Sequence, residues 1–142
     1  MNQNQEKTEL KTLIQWGDAG FSSSDRLLKG HEFRYMRNNG RSVIGKYLVL
    51  SYAKAPDEKR RLGIIVSKKF DKKAVQRNRA YRVIREAYRL IKSQVKDDVW
   101  LVFIARNYLH KRNTLEVQQE VLKLLKQENL VDFIEGDLKN PN

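Results

Sequence analysis

Five arginines and an asparagine fall within thirteen residues of this chain: Arg77, Asn78, Arg79, Arg82, Arg85 and Arg89. Guanidinium and carboxamide groups fork onto phosphate oxygens and base edges, so this set suits the recognition of a polyanion. Upstream runs Ser67-Lys68-Lys69-Phe70-Asp71-Lys72-Lys73, whose lysines would add to the phosphate affinity of the helix start that follows. Hydrolytic chemistry asks for something else: converging carboxylates that hold metal ions, or a general acid–base pair. Asp97-Asp98 is an adjacent acidic pair, but it falls where a turn is expected. His31 and His110 stand apart in sequence and read as exposed or capping side chains. With no cysteine, thiolate metal sites and disulfides are excluded. The chemistry is binding, and no catalytic residue is expected.

These side chains need an element to aim them. Residues 74–95 read as a helix in which Ala80, Ile84, Ala87 and Ile91 share one side, with Val83 and Leu90 at its margin. Asn78, Arg82, Arg85, Arg89 and Lys92 fall opposite, flanked by Arg79, and Glu86 is the only acid in the helix. A merely solvated face usually mixes signs; this one does not. Around it the pattern predicts a helix over 30–39 stopped by Gly40, and strand over 42–52, either continuous or broken at Gly45. A turn at 53–61, strands at 62–67 and 98–105, and a final helix over 113–129 complete the domain. Asn113 and Glu116 supply a capping box for that last helix. The order helix–strands–helix–strand–helix predicts an α+β domain, a two-layer α/β sandwich.

Charge distribution sharpens the picture. The 142 residues carry a formal charge of +12, of which residues 68–92 alone contribute +8. A patch of that density attracts nucleic acid; it is not a general solubility charge. Hydrophobic residues make up 40% of the chain, enough for a core spanning about 25–130. Residues 1–24 are expected to be a polar, flexible extension and 131–142 a tail. The longest apolar runs are too short to span a bilayer, and the polar start lacks the core of a secretory signal, so a cytoplasmic location is the default.

The run LGIIVSKKFDKKAVQRNRAYRVIREAYRL, residues 62–90, resembles the bacterial ribonuclease P protein component. The likeness rests on an ordered set: an apolar strand ending Ser67-Lys68-Lys69, a short loop, a helix opening Ala74-Val75 with Arg77-Asn78-Arg79, then Arg85-Glu86. It extends to Phe33, Gly40 and residues 47–50 on one side and Ile104-Ala105-Arg106 on the other, covering about 26–127. The resemblance implies a subunit of an endoribonuclease that matures the 5′ end of tRNA. Its partner would be a large catalytic RNA, which carries the chemistry with its own magnesium ions. No cofactor site on this chain and no obligate protein partner follow from it. The implied sandwich contains an unusual left-handed βαβ crossover.

Carried over by position, Arg77, Asn78, Arg79, Arg82, Arg85 and Arg89 would face the RNA, with Lys68 and Lys69 as the leading edge. Phe33, Arg37 and Tyr47 would line a cleft for the single-stranded 5′ leader of precursor tRNA. Phe33 has a second reading as a core anchor of the first helix. Three positions depart from the family pattern. Tyr81 stands where a basic residue is usual, implying a lost cationic contact or its replacement by stacking. Arg37 stands where an aromatic is usual, and the loop 70–73 lacks the usual glycine and is one residue longer. A structural RNA-binding protein, ribosomal or chaperone, is the alternative from a different class. A membrane-surface protein fits less well, since the helix spends its apolar face on the sheet.

Overall fold

The computed structural model describes Arg26 and residues 30–132. The expected extension over 1–24 and all but two residues of the expected tail lie outside the described residues. The elements are α1 (Gly30–Asn39), β1 (Arg41–Ile44), β2 (Leu48–Lys54), β3 (Arg61–Ile65), α2 (Ala74–Arg89), β4 (Val99–Ala105) and α3 (Thr114–Gln127). The expected strand over 42–52 is thus two strands. Gly45 turns the chain, its N–H donating to the Leu48 carbonyl at 2.9 Å.

The sheet runs β1-β2-β4-β3. β1 with β2 and β2 with β4 are antiparallel, while β3 with β4 is parallel. A parallel pair needs a crossover, and α2 supplies it, so the arginine helix is the middle of a β3–α2–β4 unit. β4 lies inside the sheet with Val99 to Phe103 all buried, which explains its unbroken apolar run.

Alternation along the strands sorts the helices. Phe103 points to one face and meets Tyr88 of α2, ring centroids 6.0 Å apart. Val102 and its partner Gly63 point to the other face, toward Phe33 of α1. A Cβ on Gly63 would come within 2.9 Å of the Phe33 ring, so the glycine is what lets α1 lie close on the sheet. The expected sandwich of sheet and helices is present: α2 and α3 pack together on one face, and α1 covers part of the opposite face.

Two ends differ from expectation. α2 stops at Arg89, not near residue 95: the Ile91 N–H bonds the Tyr88 carbonyl at 3.0 Å, tightening the last turn into a 3₁₀ segment at Lys92–Gln94. Ile91 and Val95 stay buried across that break, so the apolar spacing outlasts the helix. α3 starts as expected, with Asn113 accepting from the Glu116 N–H at 2.8 Å and the Glu116 carboxylate accepting from the Asn113 N–H at 3.2 Å.

Candidate nucleic-acid interface

α2 buries Ala80, Tyr81, Ile84, Ala87 and Tyr88 against the core. Asn78, Arg82 and Arg89 are exposed on the other side, with Arg85 half-buried beside them. Lys92 lies beyond the helix in the 3₁₀ segment, half-buried. Tyr81, at 8% exposure, faces inward, so it cannot replace a cation by stacking on a nucleic acid.

Arg77 requires a correction. At 100° per residue it shares the side of Ile84, seven positions on, and it is only 6% exposed. Its guanidinium donates to the carbonyls of Asp71 and Lys72 at 3.0 and 2.8 Å. It therefore ties the lysine-rich loop to the helix from inside. Arg79 is half-buried and donates to the Arg112 carbonyl at 3.2 Å, holding the turn before α3. Arg89 forks onto Glu86 at 2.6 and 2.9 Å, and this bond holds the Glu86 carboxyl below the usual carboxylate range. Of the expected arginine face, Asn78, Arg82 and Arg85 lie on the outward side of the helix.

The loop between β3 and α2 presents Lys68 and Lys69 to solvent and tucks Phe70 into the core. Asp71 accepts from the Lys73 N–H at 2.8 Å, which with the His110 ring at 3.1 Å keeps its carboxyl below the usual range. His110 is thus not isolated: its ring also stacks on Phe70 at 3.9 Å. Asp71, Lys73, Gln76, Arg79, His110 and Lys111 line a groove of about 550 Å³ beside the start of α2. Distant sequence brings these groups together, and the spacing of residues gave no sign of it.

The residues expected at a leader cleft differ in burial. Phe33 is 6% exposed and packed on Gly63, which matches the core-anchor reading. Arg37 is exposed in the last turn of α1. Tyr47 is half-buried before β2, with the cations of Lys46 and Arg112 at 5.6 and 5.8 Å from its ring. Its N–H donates to Glu120 of α3 at 2.7 Å, as do those of Lys46 and Leu48 at 2.6 and 3.0 Å.

Sequence reasoning missed an apolar strip. The register aligns Ile44, Val49, Ile104 and Ile65 in one row across all four strands, on the face that carries α1. Ile44 is 71% exposed and the other three are half-buried. At the end of this row, Ser67, Lys69, Phe70, Arg106 and Tyr108 help line a recess of about 270 Å³. Alternation marked each residue as one of a strand face, but only the pairing register joins them. Among the described residues, no three of His, Cys, Asp and Glu gather closely enough to hold a metal ion. No helix among them is long and apolar enough to cross a membrane.

Comparison with known proteins follows the same outline. Residues 21–129 match the family model described as Ribonuclease P. The ribonuclease P protein component of Desulforapulum autotrophicum is 34% identical over 110 residues, covering 78% of this chain and 93% of the relative. That of Clostridium botulinum is 38% identical over 103 residues, covering 72% and 92%. In three dimensions, the RNase P protein of Staphylococcus aureus superposes with a TM-score of 0.67 at 30% identity, covering 76% of this chain and 98% of that one. The buried stripe of α2, the sheet order and these matches lead to one assignment: the chain belongs to the bacterial ribonuclease P protein component family.

Proposed function

We propose that this chain is the protein subunit of ribonuclease P, acting in the cytoplasm to assist removal of the 5′ leader from precursor tRNA. The outward face of α2 binds the catalytic RNA, and the strip beside α1 receives the single-stranded leader. Hydrolysis of the phosphodiester belongs to the RNA and its magnesium ions. The observation that carries this reading is the division of α2: an apolar stripe spent on the sheet, with Asn78, Arg82 and Arg85 turned outward. A cationic helix rigidly backed by a core can meet phosphates without first paying to order itself.

The open strip favours this over a structural RNA-binding protein. Bases have apolar faces, and a half-buried row of Val49, Ile104 and Ile65 edged by Arg106 and Lys69 offers them a surface along which phosphates also find partners.

Reconstitution tests the reading. Purified chain combined with a ribonuclease P RNA should raise the rate of 5′ maturation of precursor tRNA most clearly at low magnesium, and the chain alone should leave the substrate intact. No change in rate at any magnesium concentration would reject the proposal. Specific cleavage by the RNA-free chain would reject the division of labour.

A further inference from the structure

The wall that α1 forms beside the apolar strip is held from its far side. Trp100, Val102 and Ile104 follow one another along the same face of β4. Phe33 seats α1 over the middle of these rows, against Gly63, the partner of Val102. Tyr35 meets the ring of Trp100 edge-on, with centroids 5.4 Å apart, and its hydroxyl donates to the Lys54 carbonyl at 2.9 Å. The row of Ile104 therefore lies along the opposite flank of the helix, where the helical period places Arg37.

Behind the Tyr35 flank stands Asp57, in the turn between β2 and β3. Its Oδ1 accepts from Nε1 of Trp100 at 3.1 Å, and its Oδ2 from Nε of Arg61 at 2.6 Å. Arg61 in turn donates through Nη1 to the Arg26 carbonyl at 3.4 Å, on the segment that leads into α1. The turn closes without these bonds. The Glu58 N–H donates to the Ala55 carbonyl at 3.1 Å, the Ala55 N–H to the Asp98 carbonyl at 2.7 Å, and the Lys59 N–H to Asp57 at 3.1 Å. What the bonds from Trp100 and Arg61 reach is α1, at its flank and at its approach. Phe33 and Met36 hold the helix down by apolar contact, which has no direction and permits it to roll. Hydrogen bonds, with their narrow geometry, oppose that roll.

We propose that Asp57 is a positioning residue for the 5′ leader: through Trp100 and Tyr35 at one point and Arg61 at another, it fixes the roll of α1 and with it the opening of the strip. This inference rests on the reading of the strip as the surface that receives the leader.

The test uses the full chain assembled with ribonuclease P RNA and compares its affinity for precursor tRNA with that for mature tRNA. Asp57→Ala removes the shared acceptor; Tyr35→Phe keeps the ring contact and removes only the last hydrogen bond, far from the turn. Each should lower the preference for precursor by about threefold or more, the scale of one net hydrogen bond, with affinity for the catalytic RNA unchanged. The double variant should lose little more than Asp57→Ala alone, because both act on one lock. The chain has no cysteine, so spin labels at Asn38→Cys on α1 and Lys123→Cys on α3, both exposed, report the position of the helix directly. Their distance distribution should be narrow in the otherwise wild-type chain and broaden in both variants. An unchanged distribution, or an unchanged preference for precursor, overturns the inference and leaves the function above standing. An equal loss for both ligands means general destabilisation and also overturns it. A wild-type assembly with no preference for leader-bearing tRNA overturns the proposed function itself.

Discussion

α2 and α3 lie side by side on the same face of the sheet, each with a buried apolar stripe, yet they use their charges in opposite ways. α3 and its ends turn acids inward: Glu116 closes the capping box, Glu120 accepts three N–H groups of the β1–β2 turn, and Glu128 accepts from the Tyr52 hydroxyl at 2.5 Å. Its lysines, Lys123 and Lys126, are simply solvated. α2 has one acid, paired with Arg89, and keeps Asn78, Arg82 and Arg85 on its outer side. A charge that completes the fold is removed from the surface available to a ligand. What α2 offers a partner is therefore smaller than its arginine count, and α3 offers almost nothing.

The sharpest way to break this contrast is inside α2. Arg77→Ala removes a buried guanidinium that satisfies two carbonyls of the loop, so it should lower folding stability by about 2–3 kcal/mol. Arg82→Ala, on the exposed side, should stay within about 0.5 kcal/mol. Urea unfolding of both variants checks this, and equal losses would show that the two arginines do not divide as described.

In α3 the matching experiment is Glu120→Ala. Three backbone donors lose their acceptor, two of them part-buried, and stability should fall by about 2 kcal/mol. Gly45 packs against this carboxylate, since a Cβ there would lie 2.8 Å from a Glu120 oxygen, so Gly45→Ala should also destabilise the turn. Thermal melts of the two variants and the double variant should show losses that do not add, because both act through one contact.

The smallest effect is on the acid side. The Glu116 carboxyl is held below the usual range by the Asn113 N–H first and by Arg112 second. The unfolded chain then takes up this proton more readily than the folded one, so the contribution is whole well above the unfolded glutamate value of about 4.3 and is lost as pH falls through the lower folded value. Glu116→Gln should make the acid limb of stability shallower without moving the neutral plateau much. A limb of unchanged slope would remove the capping box from the account.

Much of this architecture was legible before any coordinates. Gly30–Asn39 is a helix where Phe33 and Met36 are spaced for one, and the Asn113–Glu116 pair announces the start of α3 because its signal lies within four residues. The inward position of Arg77 was also readable from the period, seven residues ahead of Ile84, but the family motif drew it outward with its neighbours. What a single sequence withholds is anything created by pairing. The Ile44–Val49–Ile104–Ile65 strip needs the register of four strands, and the His110–Asp71 bond spans 39 residues between two loops. Gly63 under Phe33 is similar: the glycine was visible, its reason was not.

The central claim is that the outward face of α2, and not total charge, binds the RNA. It is tested most directly by measuring affinity for ribonuclease P RNA against salt for Arg82→Ala, Arg85→Ala, Lys123→Ala and Lys126→Ala. The two arginine variants should each bind more weakly and lower the steepness of log affinity against log salt by about 0.7–0.9, the counterion release of one phosphate contact. The two lysine variants, on α3, should leave the slope nearly unchanged. Equal slopes lost at both helices would contradict the account.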